Sequence, residues 1–138
     1  MAILGALIKG IIDLSDKVIP ESNPIEEQQE VLEQLLKKAK NTQFGKYYGF
    51  ESILESENPA KTFAEEVPFF DYNSINEEWW SKMHSGEEDV TWPGMPHYFA
   101  LSSGTTGKSS KRIPVTDAMI DAIRTAGIKQ VGALAHFD

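Results

Sequence analysis

Residues 102–112 concentrate the side chains that bind phosphate groups. Their sequence, SSGTTGKSSKR, combines hydroxyl side chains with two glycines and three cations. Glycines let a backbone turn tightly and approach a ligand, and successive N–H groups in such a turn form a concave anion site. Hydroxyls add hydrogen-bond donors, and lysines add compact positive charge. The run therefore indicates a loop that holds the phosphates of a nucleotide.

Two other interpretations of this run stay open. The P-loop of nucleotide hydrolases has the pattern G-x-x-x-x-G-K-S/T. Gly107-Lys108-Ser109 fits its second half, but Ser102 stands at the position of the first glycine. A P-loop enzyme would also need a carboxylate at the end of an apolar strand, and none is evident in the sequence. The second alternative is a flexible hairpin turn without a ligand, which the density of hydroxyls and cations disfavours.

The same run resembles the phosphate loop of the acyl-adenylate-forming superfamily. The residues that carry the resemblance are Ser103-Gly104-Thr105-Thr106-Gly107 and, after three further residues, Lys111. Arg112-Ile113-Pro114 follows, and this spacing is similar to that of the auxin-responsive acyl-acid amido synthetases, the Gretchen Hagen family. Residues 67–72, VPFFDY, are also similar to the family's V-P-x-x-x-Y at the start of a helix. Lys108 and Ser110 depart from the family pattern, which usually has glycine and proline there.

The resemblance implies an enzyme that joins a carboxylic acid to ATP, releases pyrophosphate and forms an acyl-adenylate. An amine, usually of an amino acid, or a thiol then takes the acyl group. ATP and Mg²⁺ are the implied cofactors, and Lys111 is the implied catalytic cation. No residue is assigned as a metal ligand. The implied nucleotide-binding residues are Ser102, Ser103, Gly104, Thr105, Thr106, Gly107 and Lys108.

The resemblance also implies an α/β fold, the N-terminal fragment of the large domain of an adenylate-forming enzyme, helix-rich with a few strands around the phosphate loop. Family members are several times longer, and this chain stops at residue 138 without an evident terminal signal. We therefore expect residues 1–138 to be an incomplete N-terminal part of the nucleotide-binding domain, with the family's other domains absent. Such a fragment is expected to be inactive alone. The alternative function is a non-catalytic nucleotide-binding or interaction module.

Charge and composition disfavour several other classes of protein. The chain has a net charge of −8 and no cysteine, which excludes disulfides and thiolate metal sites and is compatible with the reducing cytoplasm, the expected location. Residues 1–96 carry a net charge of −10 and residues 97–138 one of +2. An acidic body with a cationic loop disfavours nucleic acids and anionic membranes. The expected partners are a small carboxylic acid and an amine or thiol acceptor, and the oligomeric state is left open.

Helical periodicity dominates the first part of the chain. Residues 1–20 predict an amphipathic helix that Lys9 and Asp13 make too polar to span a membrane. Residues 23 and 24, Asn-Pro, predict the start of a second helix that runs to residue 40 or so. Residues 42–45 are predicted to end it in a turn. The apolar face of the second helix is predicted to hold Ile25, Leu32, Leu35, Leu36 and Ala39.

Two strands are predicted to flank the phosphate loop, so that residues 97–115 form a strand–loop–strand element. The strands are expected over residues 97–101 and 112–115. Helices are expected from Asn58-Pro59 to Glu66, and from Asp71 or Asn73 to His84. Residues 87–89 predict an exposed turn and residues 93–96 a loop. A final helix is expected after Thr116, with Met119, Ile120, Ile123 and Val131 on its apolar face.

Histidines and tryptophans are assigned structural roles. His84, His97 and His136 lie far apart in the sequence and lack metal-ligand spacing, so each is expected to be structural or exposed. Trp79 is predicted to pack inward and Trp80 to be partly exposed. The loop at residues 102–112 therefore remains the main candidate for chemistry.

Overall fold

Helices and one small sheet make up the described part of the chain. The computed structural model describes residues 23–102 and 110–134. Strands β1 (Tyr98–Leu101) and β2 (Arg112–Val115) form the sheet, and a π-helical turn, Asn76–Trp80, joins helix α5 to α6. The helix-rich α/β prediction is confirmed, whereas the helix predicted over residues 1–20 lies outside the described residues. The α-helices are α1 (Pro24–Ala39), α2 (Gln43–Tyr47), α3 (Phe50–Glu55), α4 (Pro59–Glu66), α5 (Tyr72–Ile75), α6 (Ser81–His84) and α7 (Asp117–Leu134).

The chain divides into two compact units. One is Gln28–Asp117, which holds both strands and helices α2 to α6. The other includes residues 118–134 of α7, the helix predicted to follow Thr116. Met119 and Ile123, two members of its predicted apolar face, are exposed. None of the helices within the described ranges has both the length and the apolar character that a membrane span requires.

Helix α1 begins as the sequence predicts. The Oδ1 atom of Asn23 accepts the N–H of Ile25 at 3.1 Å, and Pro24 occupies the first helical position. The predicted apolar face is only partly correct. Leu36 and Ala39 are buried and Leu32 packs against them, but Ile25 and Leu35 are exposed by 68% and 47%. Ile25 lies two turns before the packed part of the helix, and Leu35 lies at the margin of the buried stripe.

The prediction of a turn at residues 42–45 is wrong, because residues 43–45 belong to helix α2. The hydroxyl of Thr42 is buried, donates to the carbonyl of Ala39 at 2.7 Å and accepts the N–H of Gly45 at 3.0 Å. It therefore ends α1 and caps α2 at the same time. A Cβ atom on residue 45 would lie 2.1 Å from the carbonyl oxygen of Ala39, so this close approach requires glycine. Helix α3, which the sequence analysis missed, follows Gly49, whose φ is +64°.

Two buried clusters share a pair of aromatic side chains. The rings of Phe44 and Tyr48, both on or next to α2, pack against both clusters and lie 4.7 Å apart. Trp79 is buried and Trp80 is partly buried, so both tryptophan predictions are confirmed. The first cluster is Leu36, Ala39, Phe50 and Ile53, and the second is Trp79, Met83 and Val90.

The segment after α6 is exposed at residues 87–89, as predicted, but it is fixed by hydrogen bonds to α2. The carbonyls of Asp89 and Val90 accept the N–H groups of Gln43 and Phe44 at 2.8 and 2.9 Å. The carboxylate of Asp89 accepts the N–H of Gly94 at 2.7 Å. Because Val90 is fully buried, these bonds seat the segment on the second cluster and lead the chain to β1.

The sheet is antiparallel, and its two strands lie where strands were predicted on either side of the phosphate loop. Its register pairs Tyr98 with Val115 and Leu101 with Arg112. The Ser102 N–H donates to the carbonyl of Lys111, so these two residues form a hydrogen-bonded pair. In an antiparallel ladder, hydrogen-bonded pairs alternate with non-bonded pairs. Arg112 and Pro114 therefore stand at non-bonded positions, where their backbone nitrogens face away from β1. Pro114, which has no N–H, is compatible with this outer edge.

Candidate functional site

Two of the predicted site residues, Ser102 and Lys111, lie within the described part of the chain. The other six lie outside it: Ser103, Gly104, Thr105, Thr106, Gly107 and Lys108. Ser102 follows β1 directly and Lys111 directly precedes β2, so the antiparallel register brings them together at the end of the sheet. The sheet thus pairs the backbone of Lys111, the predicted catalytic residue, with Ser102, the first residue of the predicted phosphate loop.

Ser102 and Lys111 are joined by two hydrogen bonds. The N–H of Ser102 donates to the carbonyl of Lys111 at 3.0 Å, and the N–H of Lys111 donates to the Oγ of Ser102 at 3.2 Å. The backbone N–H of Ser102 therefore already has a partner, and its hydroxyl proton is the donor that it can offer to a phosphate. This pair therefore joins the chain on the two sides of residues 103–110.

Tyr72 contacts Arg112, the first residue of β2, and Lys111, the residue before it. Its hydroxyl accepts the N–H of Arg112 at 3.0 Å, and the ammonium nitrogen of Lys111 lies 4.8 Å from the centre of its ring. An ammonium over an aromatic face is attracted by the quadrupole of the ring. Tyr72 ends the segment VPFFDY, which the sequence analysis singled out, but its contact with β2 crosses forty residues and had no local signal.

Asp71 fixes the start of the helix that carries Tyr72. Its carboxylate accepts the N–H of Ser74 at 2.8 Å, and the hydroxyl of Ser74 accepts the N–H of Asp71 at 3.0 Å, which is a reciprocal capping arrangement. The hydrogen bonds from the backbone and side chain of Ser74 lower the pKa of Asp71, and the charge of Lys111 lowers it slightly further. Asp71 is therefore ionised at neutral pH, and its charge interacts with that of Lys111.

The side chains of His84 and Arg112 both contact the ring of Phe99 on β1. The imidazole of His84 meets the ring of Phe99 edge-on at 4.9 Å, and the guanidinium of Arg112 lies 5.2 Å from its centre. Burial, and next the charge of Arg112, lower the pKa of His84, and a hydrogen bond to the Arg112 backbone opposes this shift. The structural role predicted for His84 is thus confirmed by its packing against Phe99 of β1, and His97 is exposed as predicted.

The described residues contain no group of three or more His, Cys, Asp or Glu side chains that could hold a metal ion. Mg²⁺ keeps several waters and commonly binds through substrate phosphates, so a nucleotide-bound Mg²⁺ would need few protein ligands. The ammonium of Lys111 is a group that suits the phosphates themselves. ATP and Mg²⁺ therefore remain compatible with the residues present.

Two grooves elsewhere on the surface are separate from this site. One, of about 240 Å³, is lined by α1 and the start of α4, and the other, of about 370 Å³, lies between residues 47–53 and Thr62 and Glu66 of α4. Neither groove includes Ser102 or Lys111. Both grooves are therefore distinct from the site predicted at the end of the sheet.

The sequence of this chain matches one family of known proteins. A search of curated proteins found no significant match. A family model described as the GH3 family N-terminal domain matches residues 20–136. The match includes every described helix, both strands and the loop between them. The chain therefore belongs to the GH3 family, the Gretchen Hagen auxin-responsive acyl-acid amido synthetases that the phosphate-loop sequence resembles.

Proposed function

We propose that the protein carrying this chain activates a carboxylic acid with ATP as an acyl-adenylate and transfers the acyl group to an amine, in the first place that of an amino acid. The observation that carries the proposal is the base of the loop, where Ser102 and the backbone of Lys111 are joined by two hydrogen bonds and the Lys111 ammonium lies over the ring of Tyr72. Membership of the GH3 family supports the ligase class. The loop residues between them, 103–110, supply the remaining donors.

The first half of the reaction brings like charges together. A carboxylate oxygen attacks the α-phosphorus of ATP, the bond to the bridging oxygen breaks, and pyrophosphate leaves. Lys111, the loop N–H groups and the Ser102 hydroxyl would stabilise the charge that develops on the phosphates. Mg²⁺, when bound with ATP, would neutralise part of the same charge. The role of these residues is therefore electrostatic and positional, since none of them forms a covalent bond.

In the second half, the acceptor amine attacks the acyl carbon and AMP leaves with the oxygen that came from the acid. The amine loses a proton, and the product is an amide. A thiol acceptor would give a thioester by the same exchange of bonds. Family membership favours the amino acid as acceptor, and this choice is part of the proposal.

We place the chain at the N-terminal end of a longer enzyme. The matching family model describes an N-terminal domain, and this supports the placement. The acyl pocket, the further nucleotide contacts and the acceptor site would then lie in the rest of that protein. On this proposal the 138-residue chain alone gives little or no turnover. Amide formation by the isolated chain at the rate of the full-length protein would contradict it.

Acid-dependent exchange of pyrophosphate into ATP tests the proposed activity. The full-length protein is incubated with ATP, labelled pyrophosphate and a panel of aliphatic, aromatic and hydroxy acids. We expect exchange with at least one acid, strongly reduced by Lys111→Ala. Lys61→Ala, in α4 and paired with Glu65, is the matched control and should leave exchange unchanged. Hydrolysis of ATP to ADP without exchange would contradict the proposal.

A non-catalytic function of the 138-residue chain is the second candidate. The closed loop base favours it, because a loop anchored at both ends can bind a phosphate group without the rest of an active site. Binding of ATP and of pyrophosphate is measured by calorimetry with the isolated chain. Binding of either ligand that Lys111→Ala weakens would support this function, and no binding up to millimolar ligand would exclude it.

A further inference from the structure

We infer that Tyr72 is a positioning residue that sets both the backbone and the side chain of Lys111, so that the ammonium is held ready for the phosphates. This inference rests on the proposed function, in which Lys111 is the phosphate cation. Two separate parts of one side chain carry it. The hydroxyl binds the backbone of Arg112 next to Lys111, and the ring lies beneath the Lys111 ammonium.

The hydroxyl of Tyr72 acts at the outer edge of β2. Arg112 is opposite Leu101 at a non-bonded position of the ladder, so its N–H faces away from β1. The Tyr72 hydroxyl, 3.0 Å away, accepts that N–H. An outward N–H at a sheet edge is normally left to water or to another strand. Here it ties β2 to helix α5 at the residue that follows Lys111, and so fixes the direction in which the Lys111 side chain leaves the backbone.

The ring of Tyr72 acts on the side chain of Lys111. A lysine has a flexible four-carbon stem, and an exposed ammonium samples many positions. The ring centre lies 4.8 Å from Nζ, within the range of a cation–π contact. The ionised Asp71 attracts the same ammonium, but the two form no ion pair within 4 Å among the described residues. The ammonium is therefore restrained without being neutralised, which leaves it able to bind a phosphate oxygen.

Tyr72 is itself well anchored. It is the first residue of α5, directly after Asp71, whose carboxylate and Ser74 cap the helix reciprocally. Its ring meets that of Trp80 at 6.1 Å on the π-helical turn, and the side chain is half-buried. A residue can position another only when it is fixed by its own contacts. The helix cap and the aromatic contact supply this requirement.

A double-mutant cycle separates positioning from a merely structural role. Tyr72→Phe keeps the ring and removes the acceptor, and Tyr72→Leu removes both. In the full-length protein we expect kcat/KM for exchange to fall about 2- to 10-fold in Tyr72→Phe, the size of one lost hydrogen bond. We expect a further loss of about 2- to 30-fold in Tyr72→Leu, the size of a cation–π contact. In the Lys111→Ala background, the difference between the two Tyr72 variants should disappear.

Tyr98→Phe is the matched control. Tyr98 is exposed on β1 at the end of the sheet remote from the loop, and its hydroxyl has no hydrogen bond to the described residues, so exchange should not change. If Tyr72→Leu costs the same factor with and without Lys111, Tyr72 acts only on the fold and the inference is overturned. If Tyr72→Leu and Tyr72→Phe have equal kcat/KM, the ring has no role in positioning Lys111, and that part of the inference is overturned.

A measurement that needs no activity distinguishes failure of the inference from failure of the proposed function. With ¹³Cε-labelled lysine in the 138-residue chain, NMR reports the ring-current shift of the Lys111 methylene protons, assigned by their absence in Lys111→Ala. We expect an upfield shift that Tyr72→Phe keeps and Tyr72→Leu abolishes. Lys38 and Lys82, which lie over Trp92 and Trp79 at 5.5 and 4.5 Å, should keep their shifts and report an intact fold. An unshifted Lys111 overturns the inference, whereas missing exchange with a shifted Lys111 counts against the proposed function alone.

Discussion

The hydroxyl of Ser102 takes the place of a backbone carbonyl at the end of the sheet, where it is hydrogen-bonded to Lys111. The N–H of Lys111 donates to the Oγ of Ser102 at 3.2 Å, while the N–H of Ser102 donates to the carbonyl of Lys111 at 3.0 Å. In a continuing antiparallel ladder the first of these bonds would go to the carbonyl of the opposite residue. Because the side chain takes its place, the regular exchange of backbone hydrogen bonds is interrupted at this pair.

Replacing Ser102 by alanine should therefore loosen the base of the loop. The N–H of Lys111 would lose its acceptor, and the loop would lose one hydroxyl donor, so we expect acid-dependent exchange to fall about 2- to 10-fold, as for one lost hydrogen bond. Amide hydrogen exchange at Lys111 in the isolated chain should become faster. Ser85→Ala is the control, since the Ser85 hydroxyl donates to the carbonyl of Ser81 at the C-terminal end of α6. Unchanged protection of the Lys111 amide would show that the hydroxyl does not close the loop.

Two glycines should respond to alanine with opposite signs. Gly45→Ala places a methyl group 2.1 Å from the carbonyl oxygen of Ala39, which belongs to rigid backbone, and should lower the free energy of unfolding by about 1–3 kcal/mol. Gly127→Ala lies within α7 with no atom within 4 Å of the new methyl group, and should raise helix stability by about 0.5–1 kcal/mol. Urea unfolding followed by far-UV circular dichroism measures both. A stabilising Gly45→Ala would contradict the close approach of α1 and α2.

Stability should fall as the pH drops below neutrality because of His84. Burial and Arg112 lower its pKa in the folded chain, so the unfolded chain binds more protons between the two pKa values. The stabilisation is complete above the ordinary histidine pKa, about 6.5, and is lost as the pH falls from there toward the folded pKa. Urea unfolding between about pH 7.5 and about pH 5.5 should show this slope, and His84→Gln should flatten it. His97→Gln, at an exposed position, should keep the slope; if it removes the slope and His84→Gln does not, the assignment is wrong.

Lys111→Ala should harm adenylation in the full-length protein more than Lys108→Ala. Lys111 is anchored by the Ser102 pair and by the Tyr72 ring, and a charge-assisted contact is worth roughly 1.5–3 kcal/mol, or about 10- to 150-fold in rate. Lys108 stands where the family usually has glycine. Single-turnover formation of the adenylate by the two variants decides between them. A larger loss for Lys108→Ala would mean that the loop has moved its phosphate-binding cation.

Local patterns predicted the elements that are governed by local chemistry. The caps Asn23 and Asn58, each followed by proline, placed the starts of α1 and α4 correctly. The strands around the loop were also predicted to within one residue, since proline and the apolar runs define them. The loop at residues 102–112 was predicted from its residue types, which suit phosphate binding. The choice of Lys111 as the catalytic cation came from the family resemblance, and both stay predictions.

Other features depend on long-range contacts and could not be predicted from the sequence. Thr42 looked like a turn residue, but its hydroxyl serves two helices because Gly45 lets their backbones approach. Helix α3 is short and begins after a left-handed glycine, so it had no periodic signal. Tyr72 was part of a recognised motif, yet its contact with Arg112 depends on how α5 packs on β2. Contacts of this kind arise from tertiary packing and leave no trace in local spacing.

The central claim is that the carboxylic acid itself attacks the α-phosphate of ATP, and transfer of oxygen tests it most directly. The full-length protein is given an acid labelled with ¹⁸O in its carboxylate, ATP and an amino acid, and the products are analysed by mass spectrometry. The account predicts one ¹⁸O atom in AMP, because the acid's oxygen stays on the phosphorus when the amine takes the acyl group. Label in inorganic phosphate together with ADP would mean attack on the γ-phosphate, and unlabelled AMP would mean that water attacks instead. Either of these results would contradict the account.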